Sequence, residues 1–268
     1  MNRYLDDEYY ADREYNLEDI EVPVLSVANW GGITLHLRGN VEGYTWAGSR
    51  NKWLRFITGR HDLPFYYPEE VEVQRSFLNA FLKDDDRAGW TSGKVPKVSI
   101  RLRKGDKGVN DATAEREWFS RTETEWPIAR TQYTRYYLAP DLSLSENIPR
   151  SSSTLTYPAL GTLANQHLVQ FGTPFQNQIE ITGHITAHLN LSMTPITAFS
   201  DENDATFDLD VFVTLRHIDP DGNEILYTGA AGDPVPLTKG WLRLSLREVD
   251  KSHPRHRVRN PPFHVAPI

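Results

Sequence analysis

Val22-Pro-Val-Leu-Ser-Val-Ala-Asn-Trp-Gly-Gly32 is an apolar run of strand length that ends on a glycine pair. Its apolar residues follow one another instead of alternating with polar ones, the pattern of a strand covered on both faces in a parallel sheet. C-terminal to it, Gly39–Arg50 carries Val41, Tyr44 and Ala47 at helical spacing. Lys52-Trp-Leu-Arg-Phe-Ile-Thr-Gly59 reads as a second strand, stopped by Gly59. Pro68 then opens a helix with Glu69 and Glu70 in its first turn, and Val71, Gln74, Phe77, Leu78, Phe81 and Leu82 form its expected apolar stripe. The order strand, helix, strand, helix predicts a βαβα unit. Its loops gather at the C-terminal edge of the sheet, where open α/β sheets carry their chemistry. N-terminal to the first strand, residues 1–21 are polar, acidic and tyrosine-rich, and suit a helix or irregular arm.

Beyond the aspartates at 84–86 the texture changes. Pro96–Arg103 alternates apolar and basic residues as a half-exposed strand does. Thr131–Leu138, Ile179–Met193, Phe207–Arg216, Glu224–Tyr227 and Trp241–Arg247 are further strand candidates. Asp219-Pro-Asp-Gly-Asn223 is a turn between two of them, and Ser151–Ser153 is a loop. Many short strands with Pro and Gly turns predict a β-sandwich. The expected fold is thus an α/β segment, residues 1–88, followed by a mostly-β sandwich over residues 89–268.

Composition excludes several functions. The net charge of −7 leaves no general basic field for nucleic acid or an anionic membrane. There is no cysteine, which rules out a disulfide scaffold, a zinc-thiolate site and a cysteine nucleophile, and fits a cytoplasmic address. The N-terminus lacks the apolar core of a signal peptide, and no apolar run reaches the roughly 20 residues of a membrane-spanning helix. No cofactor motif and no metal site are expected. His184 and His188, on one face of a strand, would stand ~13 Å apart, too far for one metal. Asp201, Glu202, Asp204, Asp208 and Asp210 match no calcium loop and read as solvated. His253 and His256 lie in a Pro/Arg-rich tail.

His61 is the first candidate for chemistry, since a histidine just past a parallel strand can act as a general base. Trp30, His36 and Arg38, beside the glycine pair, are candidates for lining a substrate site, with His36 and Arg38 suited to a carboxylate. No G-x-S-x-G occurs, so the nucleophile elbow of an α/β-hydrolase is absent from these residues.

VPVLSVANWGG, LHLRGNVEGY, GRHDLPFYY and SFLNAFLK in the α/β part, with EREWFSRTETEWPIARTQYTRYYL, FDLDVFVTLRHIDPDGNE and GWLRLSLREVD in the β part, resemble the X-Pro dipeptidyl-peptidase and cocaine esterase family of CocE/NonD-type serine hydrolases. The likeness runs over nearly the whole chain. It implies the end of an α/β-hydrolase domain followed by a non-catalytic jelly-roll domain, and a Ser-Asp-His triad in which His61 is the histidine. The family's acid follows the strand in a Gly-Trp-x-Asp pattern, and Gly32 stands at that position here; Glu42 is a conceivable substitute. The family's nucleophile lies upstream of Met1 and its last jelly-roll strands beyond Ile268, so the chain is expected to be an incomplete piece of such an enzyme. An incomplete sandwich leaves an open edge, which invites a partner or a homo-oligomer. The implied substrate is a small-molecule or peptide acyl compound, an ester or an X-Pro amide. The alternative is a non-catalytic β-sandwich binding module derived from such a hydrolase.

Overall fold

The computed structural model describes residues 12–13, 15–104, 108–116, 119–158, 161–162, 167–192, 208–244 and 247. Two compact units divide the chain. One is Met1–Ala129 with His184–Ile268, and the other is Arg130–Gly183.

The first unit is organised by a four-stranded sheet in the order β1 (Val24–Asn29), β2 (Lys52–Ile57), β3 (Val98–Arg101), β4 (Ser120–Glu123). β1, β2 and β3 run parallel, and β4 returns antiparallel to β3. Helix α1 (Leu37–Trp46) connects β1 to β2, and α2 (Pro68–Leu82) lies between β2 and β3. The expected βαβα order is therefore present, extended by two strands. Pro96–Arg103 supplies β3, in which Val98 and Ile100 are fully buried while Ser99 and Arg101 are half-buried.

Side-chain alternation along β2 explains the two cores. Leu54 and Phe56 point to one face and pack with Ala28, Val98 and Ile100, under Val41 and Tyr44 of α1. Trp53 points to the other, where Phe77 and Ala80 of α2 and Trp90 close around it. Both faces are covered, which is why apolar residues fall on both faces of this strand, with Arg55 the one charge inside it.

α2 turns a different face inward from the expected stripe. Glu70, Phe77 and Ala80 are buried, with Val73 and Phe81 packed alongside, while Val71, Leu78 and Leu82 are exposed. The cause is a charge: Arg55, on the α2 side of β2, donates to both oxygens of Glu70 at 2.5 and 2.9 Å. A bidentate pair of this kind rotates the helix so that the carboxylate, only 3% exposed, faces the strand.

The C-terminal segment of this unit forms small antiparallel sheets. β7 (Asp210–Leu215) pairs with β12 (Thr238–Arg243), β8 (His217–Ile218) with β9 (Glu224–Ile225), and β10 (Tyr227–Thr228) with β11 (Pro234–Val235). The Asp219–Asn223 turn forms as read: Asp219 accepts from the amides of Asp221 and Asn223, and Gly222 adopts φ 87°. Residues 179–192 contain no strand although their apolar residues alternate; Ile181, Ile185 and Leu191 are each about half exposed. Alternation marks a strand only when a neighbour supplies the ladder. Asp201, Glu202, Asp204, His253 and His256 lie outside the described residues.

In the second unit, β5 (Tyr137–Leu138) pairs with β6 (Leu144–Ser145), and Ser143 bridges to Gly172. Of the candidate strand Thr131–Leu138, only β5 forms a ladder. No helix among the described residues is long and apolar enough to cross a membrane.

Candidate functional site

The C-terminal edge of the sheet is built from backbone. Asn29, buried at the end of β1, accepts from Gly31 N at 2.7 Å and donates to Arg60 O at 2.8 Å, tying the β1 turn to the β2 turn. Gly31 is so close to its neighbours that a Cβ on it would stand 2.3 Å from Gly59 O and 3.2 Å from Gly229 O. Gly59 itself has φ 99°, a conformation that only glycine adopts without strain. Three segments remote in sequence thus meet there: the ends of β1 and β2 and the β10–β11 hairpin.

That convergence sets two histidines side by side. His61 N donates to Ala230 O at 3.0 Å, so the hairpin holds the loop after β2. His36 immediately precedes α1, and its ring lies 4.9 Å from that of His61, tilted by 49°. Both rings are exposed. A cavity of about 220 Å³ opens between the β1 turn and the hairpin, lined by Ile33, Leu35, Ala230 and Val235, with Asp233 and Lys239 as its charged groups; neither histidine lines it, and it meets them through Leu35, which precedes His36, and Ala230, which accepts from the His61 amide.

The other sequence candidates stand apart from this pair. Trp30 packs against the core, stacked on Phe56 at 4.7 Å, with its indole N–H donating to Arg101 O at 2.6 Å. Arg38 is exposed, and its positive charge acts on His184. The Glu42 carboxylate accepts from the Trp46 indole one turn along α1, at 2.7 Å. Gly32 is buried, yet a Cβ on it would meet only Leu37 N at 3.7 Å, an ordinary contact. Among the described residues no three His, Asp or Glu side chains cluster to hold a metal.

Sequence reading missed the hairpin and the group beneath it. Thr228-Gly-Ala-Ala-Gly-Asp-Pro-Val235 carries a glycine and proline turn between two strand residues, a legible hairpin signal. Below it Thr228 Oγ1 donates to the Glu115 carboxylate and accepts from Asn110 N at 2.7 Å, while Thr58 Oγ1 donates to Glu115 O at 3.0 Å. Burial pushes the Glu115 carboxyl above its usual range, against the lowering pull of Thr228 and Arg103. Arg103 crosses from β3 to the hairpin, donating to Leu237 O at 2.7 Å with its guanidinium 4.5 Å from the Tyr227 ring centre.

Two predictions arise here. Gly31→Ala is expected to destabilise the chain by about 3 kcal/mol, because the new methyl meets a carbonyl oxygen and neither backbone can yield without moving the other. Urea unfolding checks the loss. Histidine 184 supplies the second. Burial, with Trp126 6.0 Å away, and the Arg38 charge push its imidazole down from 6.5 to about 4. The unfolded chain therefore takes up a proton first. Stability is constant above pH 6.5, falls as pH drops toward 4, and levels off below. The loss should reach about 2–3 kcal/mol, allowing for partial exposure. Urea midpoints at pH 7 and pH 4.5 measure it, and His184→Asn should remove the difference.

A family model described as the X-Pro dipeptidyl-peptidase C-terminal non-catalytic domain matches residues 89–265. Two crystal structures of a CocE/NonD family hydrolase from Staphylococcus aureus superpose with TM-scores of 0.73 and 0.70, each at 23% identity. At that identity the likeness is one of fold. Each alignment covers 97% of this chain and 42% of the solved one, so the chain spans less than half the length of these hydrolases. No curated protein matches the chain.

Proposed function

Because the chain belongs to the family of X-Pro dipeptidyl-peptidase C-terminal non-catalytic domains, we propose that it forms the non-nucleophilic side of a serine hydrolase acting on ester or X-Pro amide acyl bonds. In this reading residues 1–88 are the C-terminal part of an α/β-hydrolase domain. Residues 89–268 are a jelly-roll sandwich that begins by adding β3 and β4 to the same sheet. A serine supplied from outside these residues attacks the acyl carbonyl, and His61 takes its proton and returns it to the leaving group. His36 stands against the His61 ring. The cavity bounded by Ile33, Leu35 and the hairpin receives the apolar part of a small-molecule or peptide substrate. A cytoplasmic address belongs to the same proposal.

The observation that carries this reading is the location of His61. It follows a parallel strand at the C-terminal edge, its amide bonded to Ala230, a hairpin residue that lines a cavity large enough for a small acyl group. Gly32, at the position of the family's aspartate, favours the second reading, a binding module without hydrolysis.

The test pairs the full chain with a serine-bearing hydrolase portion and follows p-nitrophenyl butyrate and Ala-Pro-p-nitroanilide. The chain by itself should hydrolyse neither and should not react with a fluorophosphonate probe. In the active assembly, His61→Ala should lower kcat/KM on the order of 10⁴-fold or more. Gly32→Asp, whose Cβ would make only an ordinary 3.7 Å contact with Leu37 N, should raise it. An assembly whose rate is indifferent to His61→Ala supports the binding module instead.

A further inference from the structure

Two opposite charges share the cavity between the β1 turn and the hairpin without meeting. Asp233 and Lys239 are the only charged groups among the described residues that line it. The other walls are small or apolar, with Ile33, Leu35, Val235 and Pro236 the largest and Thr34 the one hydroxyl. The turn fixes the acid in place. Asp233 O accepts from Gly229 N at 2.7 Å, and Asp233 Oδ1 accepts from Ala231 N at 3.1 Å. Asp233 Oδ2 and the Lys239 ammonium, by contrast, have no hydrogen-bond or ion-pair partner among the described residues.

Such a cavity discriminates by charge pattern. An apolar acid gains the attraction of Lys239 and meets the repulsion of Asp233, and an apolar amine does the reverse. A ligand that carries both an ammonium and a carboxylate gains from both walls, while its apolar part covers the rest. Size narrows the choice further. A volume of about 220 Å³ holds roughly seven waters, or a ligand of about ten non-hydrogen atoms. One free amino acid with a branched apolar side chain has this size, and a nucleotide exceeds it.

We infer that the cavity binds a free apolar α-amino acid, leucine or one of similar size, with its ammonium on Asp233 Oδ2 and its carboxylate on Lys239. The inference rests on the reading of this cavity as the place of the substrate's apolar part, and it names that part: the amino acid that hydrolysis of its ester or of a short peptide sets free. Ala230 belongs to the cavity wall and accepts from the His61 amide, so the bound amino acid adjoins the segment that holds the histidine loop.

Titration calorimetry of the full chain with L-leucine, isocaproate and isoamylamine tests it, the last two being leucine without its amine and without its carboxylate. Leucine should bind with a sub-millimolar Kd, and each single-charge analogue about tenfold or more weakly than leucine. Asp233→Asn, which keeps an acceptor for the Ala231 amide, and Lys239→Gln should each weaken leucine by a similar factor. Saturation-transfer NMR on the unmodified chain should mark the leucine methyls most strongly, a readout that does not depend on a variant folding. Absence of both heat and saturation transfer with millimolar leucine, or isocaproate binding as tightly as leucine, would overturn the assignment. The measurement involves no catalysis, so its failure leaves the role of His61 to the assembly experiment above.

Discussion

Glu70→Ala is expected to cost about 3–5 kcal/mol of unfolding free energy, because it strands Arg55 beneath α2 with no counter-charge. The pair is well made: two charge-assisted hydrogen bonds at 2.5 and 2.9 Å, the carboxylate 3% exposed, and Arg101 3.7 Å away on the same oxygen. Its removal leaves two cations facing a vacated site. A domain of ordinary stability holds about 5–15 kcal/mol in total, so the variant should fall close to unfolding at 37 °C. Glu70→Ala combined with Arg55→Met should recover a large part of the loss, since the orphaned charge goes as well. Urea midpoints of the two variants check this. A Glu70→Ala loss below about 1 kcal/mol would mean that water reaches Arg55 and that the pair is worth no more than one at the surface.

The second large effect is expected at Trp53. Its side chain is 2% exposed and meets Trp90, Phe81 and Phe77 at ring-centre distances of 5.0, 5.6 and 5.9 Å. It is the one buried strand residue of this second core, and the others come from α2 and the segment after it. The ammonium of Lys97 sits 3.8 Å above the indole, and burial lowers the Lys97 pKa there. Trp53→Ala should cost about 3–5 kcal/mol, the usual range for an emptied aromatic site. Near-ultraviolet circular dichroism should show loss of the aromatic signal before the helical signal goes. Trp53→Phe should recover part of the stability but not the edge contacts to Phe77 and Trp90 together with the tilted contact to Phe81. An alanine variant with unchanged near-ultraviolet signal would show that α2 packs without Trp53.

The α/β half was legible in the sequence because its rules are local. β1 and β2 are largely apolar runs followed closely by glycine, and α2 is announced by Pro68 with two acids. What failed locally was the inward face of α2, set by Arg55 on another element. The C-terminal half was less legible for the same reason. Ladders of two residues, such as β8 with β9, exist only through their partners, and the alternating stretch at 179–192 has none among the described residues. In the candidate site, the position of His61 could be read from its place after a strand. Its nearness to His36 could not, since it follows from where α1 begins. Trp30 was read as lining the site, but its packing on Phe56 depends on β2. Ala230, which fixes the His61 loop, offers only a backbone carbonyl, and no residue type signals that.

The hairpin's attachments also bear on how quickly the protein becomes competent. Its hydrogen bonds to Glu115 and from Arg103 join residues 113 and 134 positions apart. Contacts of such separation form only after long loops have closed, and chains dominated by them fold slowly. The parallel sheet, whose strands are joined through nearby helices, can assemble earlier. In a refolding experiment the aromatic core should thus recover its signal in a faster phase than the contact between His61 and the hairpin. The edge of the sheet would stay open in the interval, a window in which a chaperone or a second chain could reach it.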